Sequence, residues 1–414
     1  MGVQTWVFLG EPEVAHEILS VQGGATAGRP QFTFLSKINA PDNSKRWKYA
    51  RSAVLNILSP NTVDGFVDIL ERETNQVVET MKEHANVYGE IDPHSFSRLS
   101  SMNIMLAVAF GIKGSKTVED PFYKKAMKLL EQTVEFSSMA HDYTTLLPSL
   151  KFLDIIFKKE KRMVDFRDQE YHPFIVQLIE RALKSSDDSL AKKVDKLKEE
   201  YQFDDLSVIS FMSEVLAAGI DTTANSISWF FAILCNYPEH QKRIFEELKE
   251  FTKKYNRQPL FTDKEELPFL IAFMKEGTRF RPAGHFGLPH KALQDGSILV
   301  ANLHTLHLDS RCFPDPERFL PERFLGDTRS MDSASKGSFK TRDHFTFGWG
   351  RRICPGIYLA ENEIFMIITR VLTKFSVEPA LSSNGEKLYP DLNDSVDTGI
   401  TIYPVPYKVR LIER

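Results

Sequence analysis

The stretch FTFGWGRRICPGIYLAENEIF, residues 345–365, places Cys354 between an arginine-flanked, glycine-rich loop and the first turn of a helix pattern. Apolar residues recur on one face of that pattern, which predicts a helix over 356–375 with one buried side. Free N–H groups and the positive dipole end at a helix start favour a thiolate over a thiol, and Arg351 and Arg352 add positive charge. A ligating thiolate fits this environment, but so does a small apolar filler.

Glycines and spacing decide between these two interpretations. Gly348, Gly350 and Gly356 remove side-chain bulk, so the backbone can turn sharply and approach a flat ligand. The stretch matches the F-x-x-G-x-R-x-C-x-G signature of the cytochrome P450 family at five positions: Phe347, Gly350, Arg352, Cys354 and Gly356. The chain therefore resembles that family. The resemblance implies that these residues bind haem b and that Cys354 is the axial thiolate ligand of its iron, with electron push favouring O–O cleavage.

Composition excludes several other classes of protein. Among 414 residues, 42% are hydrophobic and 26% are charged, which is enough for a large core. The net charge, 52 minus 56 or −4, has no strong block at either end and does not indicate nucleic-acid binding. The cysteines Cys235, Cys312 and Cys354 are too few and too scattered for a disulfide framework or a zinc cluster.

Hydrophobic periodicity predicts a mainly α fold with small β-sheets (α+β). The resemblance implies that this is the cytochrome P450 fold, in a single haem domain over 1–414. Helices are predicted near 45–58, 61–84, 95–111, 121–136, 162–184, 205–235, 239–254, 264–280 and 356–375. Strands are predicted in the opening segment, at 297–302 and near the C-terminus. Loops are predicted at 184–205, with a short solvated helix as the alternative, and at 326–343.

The long apolar helix pattern over 205–235 contains AAGIDTTAN in its middle. A glycine, an acid and two hydroxyls are unfavourable in a helix interior. The resemblance implies a distorted turn beside the haem, where Thr222 holds and protonates bound dioxygen through water and Asp221 helps to deliver protons. The alternative is that both threonines bond back to the preceding turn.

Two further motifs concern the haem surroundings. In the family, an E-x-x-R pair and the arginine of a P-E-R-F segment form a buried charge cluster, which assigns Glu276, Arg279 and Arg323 to the structural core. Haem propionates need cations or donors at the haem edge. Candidates are Arg352, Trp47 and Arg51 in a W-x-x-x-R pattern, and His290. His304 and His307 have the spacing of a metal pair, but ordinary packing is the preferred interpretation.

The resemblance covers nearly the whole chain, with two departures. The family's membrane anchor, hinge, first helix and first strand are not found ahead of Met1, and the hairpin after His290 is short. The N-terminal segment has no apolar run long enough to span a bilayer, so the chain as written is expected to be soluble or peripheral. The resemblance implies attachment to the cytosolic face of the endoplasmic reticulum.

The sequence predicts a haem-dependent monooxygenase. It is expected to be a monomer that takes electrons from an NADPH-cytochrome reductase, a flavoprotein, and inserts one atom of O₂ into a lipophilic substrate. Apolar segments at 29–38 and 135–157 are expected to build the substrate pocket. A patch of Lys336, Lys340, Arg342 and Arg351 is expected to steer the reductase. The alternatives are a truncated or splice-variant protein without stable activity, and peroxide-driven, isomerase or dehydratase chemistry on the same fold.

Overall fold

A computed structural model describes residues 4–34, 45–138, 142, 148–150, 152–200 and 202–414. Over these residues the chain is mainly helical. The α-helices are Pro12–His16, Gly23–Thr26, Lys45–Ile57, Pro60–Asp64, Val67–Tyr88, Pro93–Phe110, Pro121–Ser137, Leu153–Phe157, Lys159–Phe166, His172–Lys184, Leu190–Leu197, Asp205–Asn236, Pro238–Tyr255, Pro268–Phe280, Leu303–His307, Met331–Ser335 and Ile357–Lys374. Wider π turns, Glu17–Val21 and Arg167–Tyr171, and 3₁₀ turns at Pro148–Leu150, Phe261–Glu266, Pro321–Phe324 and Gly350–Arg352 join them.

The strands form small sheets at the edge of the helical body. They are β1 (Trp6–Leu9), β2 (His290–Lys291), β3 (Ile298–Ala301), β4 (Phe375–Leu381), β5 (Lys387–Leu388), β6 (Ser395–Asp397), β7 (Ile402–Pro404) and β8 (Val409–Glu413). The opening strand β1 pairs in parallel with β3, and β2 pairs with the other edge of β3 in antiparallel fashion. Strand β4 lies between β5 and β8, and β6 pairs with β7. The fold is the predicted α+β class.

The helix Asp205–Asn236, the central helix, organises the core. It packs against Pro93–Phe110, His172–Lys184 and Ile357–Lys374. Its first turn is capped by the Asp204 side chain, which accepts from the Ser207 N–H at 2.8 Å. A Cβ at Gly219 would lie 2.5 Å from the sulfur of Met105, so glycine is needed for the two helices to approach closely.

The central helix is also the one helix, among the described residues, that is long and apolar enough to cross a membrane. Half of its most apolar window is buried inside the protein. A buried core helix can have the same length and composition, so this is weak evidence for a membrane span.

Several predicted elements differ from the structure: the helices predicted at 61–84 and 162–184 are interrupted, and the one predicted at 264–280 begins at Pro268. The helix Ile357–Lys374 ends one residue early, and Phe375 begins β4, a strand that the sequence did not predict. The segment 326–343, predicted as a loop, contains the helix Met331–Ser335, which buries Met331 and Ala334 and is capped by Ser330. Within 184–205, the helix alternative is correct. Leu190–Leu197 is helical and buries Leu190, Ala191 and Val194 against its neighbours.

Candidate active site

Residues 345–356, the cysteine loop, form a tight turn ahead of the helix Ile357–Lys374. The Cys354 N–H donates to the Phe347 carbonyl at 2.9 Å, which closes the loop. Gly348 and Gly350 have φ angles of +76° and +56°, and a Cβ at Gly350 would lie 2.2 Å from the Leu19 carbonyl oxygen. Both positions therefore require glycine. Gly356 has φ −95°, and no atom lies within 4 Å of the position that a Cβ would take, so the chain's own packing does not require glycine there.

Cys354 is exposed, although protein atoms surround it closely enough for burial to raise its pKa. Burial is the largest influence on its pKa and raises it, while the Gly356 N–H and Arg51 lower it and Asp332 raises it further. A side chain that is surrounded by protein but reachable by water lies on the wall of an internal recess. Burial therefore favours the thiol, contrary to expectation, and a cation bound to the sulfur would reverse that balance.

The arginines that flank Cys354 in sequence point away from the sulfur. The Arg352 Nε donates to the Ala27 carbonyl at 2.9 Å. The Arg351 guanidinium lies 3.6 Å from the position that a Cβ on Gly24 would take. The positive charge that acts on Cys354 comes instead from Arg51, whose guanidinium donates to the Ile353 carbonyl.

The central helix presents an accessible face within its otherwise buried middle. Glu214, Ala218 and Thr222, spaced four residues apart, are all exposed, whereas Met212, Leu216 and Ile220 are buried. Residues four apart lie on one side of a helix. Attraction to Arg352 lowers the pKa of Glu214, so this face lies on the side of the helix toward the cysteine loop. We infer a space between the two and call it the cleft, with Glu214, Ala218 and Thr222 on one side and Arg51, Arg352 and Cys354 on the other.

At the motif AAGIDTTAN, the distorted turn that was expected is not present, because the central helix is continuous from Asp205 to Asn236. The Thr222 hydroxyl donates to the Ala218 carbonyl at 2.6 Å, which is the back-bonded alternative. The same hydroxyl is exposed to the cleft, so back-bonding and access to a ligand occur together.

Asp221 is held by a partner that the sequence did not indicate. Its carboxylate forms an ion pair with the Arg98 Nε at 3.3 Å, and Arg98 also donates to Glu131 at 2.7 Å. Burial raises the pKa of Asp221, and the nearby Arg98 opposes that shift. Arg98 and Glu131 lie on two other helices, more than 80 residues from Asp221 in sequence, and no motif marks them.

Cations gather at one end of the cleft. The His290 Nδ1 lies 3.0 Å from the Thr26 carbonyl, an acceptor, so that nitrogen carries the proton. Burial first, then Arg29 and Arg352, lower the pKa of His290 to about 3. Arg29, which sequence reasoning placed only in a substrate segment, donates to the Leu288 and Pro289 carbonyls at 2.8 and 2.7 Å. The helix Lys45–Ile57 contains Trp47, whose side chain lies outside the described residues.

These residues fit a haem. Cys354 supplies an accessible sulfur at the wall of the cleft, and the Arg51 Nε is buried without a hydrogen-bond partner. Buried donors are rarely left unsatisfied, so an anionic group near Arg51 would complete its hydrogen bonding. Thiolate, cations and an open face on the central helix are the elements that a haem with two carboxylates needs.

Glu276, Arg279 and Arg323 meet in one buried cluster. Both carboxylate oxygens of Glu276 accept from Arg279, at 2.7 and 2.8 Å, and one also accepts from the Arg323 Nε at 3.1 Å and the Leu320 N–H at 2.9 Å. Glu276 and Arg279 are almost fully buried. The cluster ties the helix Pro268–Phe280 to the turn Pro321–Phe324.

Other predicted residues are placed differently. His307 is buried, stacks on Phe345 and accepts from the Phe345 N–H at 2.9 Å, which agrees with ordinary packing. No group of metal-ligating His, Cys, Asp and Glu side chains occurs in the part of the chain that the structure describes. In the expected reductase patch, Lys340 is exposed, but Arg342 is buried and donates to the Gly348 carbonyl at 2.8 Å, so its inclusion was wrong.

The segments expected to line the substrate pocket are described only in part. Residues 35–38, 139–141, 143–147 and 151 lie outside the described residues. Of the rest, Phe34 is buried and packs against Phe136 and Phe166, with ring centroids 5.5 and 6.4 Å away. This aromatic cluster is therefore part of the core.

Comparison with known proteins gives a consistent result. The family model "Cytochrome P450" matches residues 1–410. Cytochrome P450 monooxygenase virE of Hypocrea virens is 25% identical over 442 residues, covering 100% of this chain and 78% of that protein. Cytochrome P450 monooxygenase 79 of Postia placenta is 27% identical over 420 residues, covering 89% and 74%. A zebrafish cytochrome P450 solved with progesterone has a TM-score of 0.79 at 23% identity, covering 100% and 95%.

The likeness to the solved structure shows the fold, and the match to the family model shows that the chain belongs to the family. Its match extends over all but the last four residues, from the opening strand through the cysteine loop to the C-terminal sheet. This protein therefore belongs to the cytochrome P450 family of haem-thiolate monooxygenases.

Proposed function

We propose that residues 1–414 form a single haem domain that inserts one oxygen atom from O₂ into a lipophilic substrate. Electrons would come from an NADPH-dependent flavoprotein reductase. The observation that carries this proposal is that Cys354 is exposed on the inferred cleft, whose other side is the exposed Thr222 face of the central helix. An accessible cysteine opposite an acid and an alcohol suits oxygen activation better than a peroxide-driven or isomerase reaction.

Family members use haem b, which when bound would activate O₂ so that one of its two atoms can be inserted into the substrate. Cys354 would hold the iron through its sulfur, and Phe347, Gly350, Arg352 and Gly356 would shape the loop that presents it. Arg51, Arg352, His290 and Trp47 would hold the propionates, and Arg29, beside His290, joins them in our proposal. A propionate next to His290 would raise its pKa and let its second nitrogen donate.

Asp221 and Thr222 would manage protons on the other side of the cleft. Arg98 fixes the Asp221 carboxylate by its ion pair, and burial raises the pKa of that carboxyl, so it can take up and release a proton. The Thr222 hydroxyl now donates to Ala218 and must turn from that carbonyl to donate into the cleft. A hydroxyl rotates easily about its C–O bond, and after that rotation it would donate to a ligand or a water molecule held there.

Substrate, partner and location follow from the family and the composition. A lipophilic substrate suits an internal cleft on an apolar helix, and family membership implies a redox partner, O₂ and a substrate. We propose an NADPH-cytochrome reductase as that partner, a monomeric state, and attachment to the cytosolic face of the endoplasmic reticulum. The alternative is a haem-fold protein without stable activity.

The test is the carbon monoxide difference spectrum of the reduced protein, expressed with haem precursor. The wild-type chain should give the strongly red-shifted Soret band of thiolate-ligated haem, and Cys354→Ser should lose it. Cys312→Ser is the matched control, because Cys312 is half-buried and lies in a different part of the chain. A red-shifted band that persists in Cys354→Ser would contradict the ligand assignment. Absence of haem from the wild type would favour the inactive alternative.

A further inference from the structure

A charged cavity lies outside the cleft, lined by residues of the segments 312–329 and 340–343. Its volume is about 610 Å³, which is in the range of small-molecule sites. The charged side chains on its wall are four cations and two acids: Arg323, Arg329, Lys340, Arg342, Asp327 and Asp343. The proposed haem site and its oxygen chemistry use none of them. The wall therefore has more positive than negative groups, and their role is open.

Other cations of the protein already match both acids of the cavity. The Asp327 carboxylate accepts from the Arg329 Nε and from one Arg329 Nη, at 2.9 and 2.7 Å. The fully buried Lys275 Nζ lies 3.3 Å from an Asp327 oxygen and 3.7 Å from an Asp343 oxygen. Asp343 also attracts Arg342, but the two form no ion pair. The charges of Asp327 and Asp343 are therefore compensated by Arg329 and Lys275.

Two cations of the cavity are left without a counter-charge. Arg323 pairs with Glu276 at 3.1 Å, whereas the exposed Lys340 forms no ion pair or hydrogen bond within the part of the chain that the structure describes. Arg342 is only 8% exposed, and one of its Nη atoms donates to the Gly348 carbonyl at 2.8 Å. Its Nε is buried without a partner, and burial lowers the pKa of Arg342 to about 10. Buried donors are rarely left unsatisfied, so this wall needs an acceptor that the described chain does not supply.

Arg329 brings a third donor to the same place. One of its Nη atoms donates to the Thr341 carbonyl at 3.1 Å, which holds the guanidinium against the residue between Lys340 and Arg342. Arginine forks and lysine ammonium groups are common phosphate ligands. A phosphate monoester carries a charge of about −1.5 to −2 at pH 7, which matches the two uncompensated cations. A single carboxylate would compensate only one of them.

We propose that this cavity binds the phosphate group of a small polar molecule through Lys340, Arg342 and Arg329. The rest of that molecule would occupy the remaining volume beside Cys312 and Phe313, which also line the cavity. Binding requires no step of the monooxygenase reaction. The proposal therefore stands independently of the proposed function.

The experiment is calorimetric titration of the haem-loaded protein with ribose 5-phosphate, ribonate and ribose. These probes share a polar five-carbon chain, which does not suit an apolar cleft, and they carry a phosphate, a carboxylate and no charge. Ribose 5-phosphate should bind most tightly, ribonate more weakly and ribose not measurably. Lys340→Gln should weaken binding of ribose 5-phosphate at least tenfold, because it removes a hydrogen bond between charged groups. Arg342→Lys, which keeps the charge but loses the fork of donors, should weaken it as well.

The control is Lys336→Gln, which removes the same charge from an exposed lysine that does not line the cavity. It should leave the affinity for ribose 5-phosphate unchanged. Because Lys340 is exposed, Lys340→Gln tests the proposal even if Arg342→Lys loses stability.

Alkylation of Cys312 by iodoacetamide shows where the probe binds, because this half-buried thiol lines the cavity. Bound ribose 5-phosphate should slow the reaction at Cys312, as measured by mass spectrometry of its peptide. The proposal is overturned if wild type binds ribose 5-phosphate no more tightly than ribose, or if Lys340→Gln and Lys336→Gln bind it equally. Alkylation of Cys312 at the same rate with and without the probe would also overturn it.

Discussion

At the residue scale, Glu276 shows how one side chain can hold several segments together. Its two oxygens accept from Arg279, Arg323 and the Leu320 N–H, and it is fully buried. A buried charge is tolerated only when its partners satisfy it, and removing the charge leaves the arginines without compensation. The E-x-x-R spacing by itself is a weak signal, because such pairs form on any helix surface.

We expect Glu276→Gln to lower the free energy of unfolding by about 3–5 kcal/mol, because it leaves two buried guanidinium groups without a counter-charge. Urea denaturation followed by circular dichroism measures this. The matched control is Glu266→Gln, which breaks a solvent-exposed pair with Lys254 at 2.9 Å and should cost little, because water screens that pair. Equal losses in both variants would argue against a structural role for the cluster.

Thr222 provides a second prediction at this scale. Thr222→Ala should retain the haem spectrum, because the side chain is exposed to the cleft and the lost bond to Ala218 is local. It should, however, uncouple NADPH consumption from product formation, since the hydroxyl that donates protons is gone. Hydrogen peroxide released per NADPH oxidised, with reductase present, measures uncoupling. Thr222→Ser keeps the hydroxyl and should remain coupled, and equal peroxide release from all three proteins would rule out this role.

At the element scale, the helix Ile357–Lys374 does more than position the cysteine loop. It packs against Val67–Tyr88 and the central helix, and its Glu363 accepts a hydrogen bond from the Ser101 hydroxyl at 2.5 Å on Pro93–Phe110. Amphipathic periodicity predicted this helix correctly, but the acid on its buried face was not foreseen. Its partner comes from a helix 262 positions earlier in the sequence.

Glu363 makes stability depend on pH. Burial raises its pKa from 4.5 to about 8, and the Ser101 hydrogen bond only partly opposes that shift. The folded state therefore holds a proton that the unfolded state has lost between about pH 4.5 and 8, so this contribution to stability falls as pH rises through that window. Glu363→Gln should match wild type near pH 5 and be more stable than wild type near pH 8.

Thermal or urea unfolding at several pH values tests this prediction. The control variant Glu386→Gln changes an exposed acid on the loop after β4 and should leave the pH dependence unchanged. A wild-type slope that Glu363→Gln does not reduce would show that Glu363 is ionised in the folded protein.

At the scale of the whole molecule, the surface near the cysteine loop carries fewer cations than the sequence suggests. Lys336 and Lys340 are exposed, and Lys336 pairs with Asp332 at 2.7 Å. Arg342 is buried, and its guanidinium lies 5.0 Å from the Trp349 ring. A docking surface for an acidic reductase would therefore depend on the two lysines and on Arg351, which is also exposed.

Lys340→Glu should slow electron delivery from the reductase and make it less sensitive to salt, because steering by an exposed charge is screened by ions. Stopped-flow reduction at several ionic strengths measures this effect. Arg342→Gln is the comparison: it should lower stability, because it removes a buried hydrogen bond to Gly348. Unchanged reduction kinetics in Lys340→Glu would exclude this docking surface.

The sequence by itself determined the fold class and most helices, because their signals are local. Apolar periodicity located the central helix to within one residue, and the spacing around Cys354 identified the family. The sequence also indicated that positions 348 and 350 need glycine, because few other residues adopt the positive φ angles found there.

The tertiary structure alone decided which charges meet. Three findings depend on segments that are distant in sequence. Asp221 forms an ion pair with Arg98, Arg51 rather than Arg351 is the cation that acts on Cys354, and Arg342 is buried. Glu214 is an unremarkable acid in the sequence, and only the packed central helix places it on the cleft. The physical reason is that local periodicity sets which face of an element is apolar, whereas burial and electrostatic partners depend on what packs against that face.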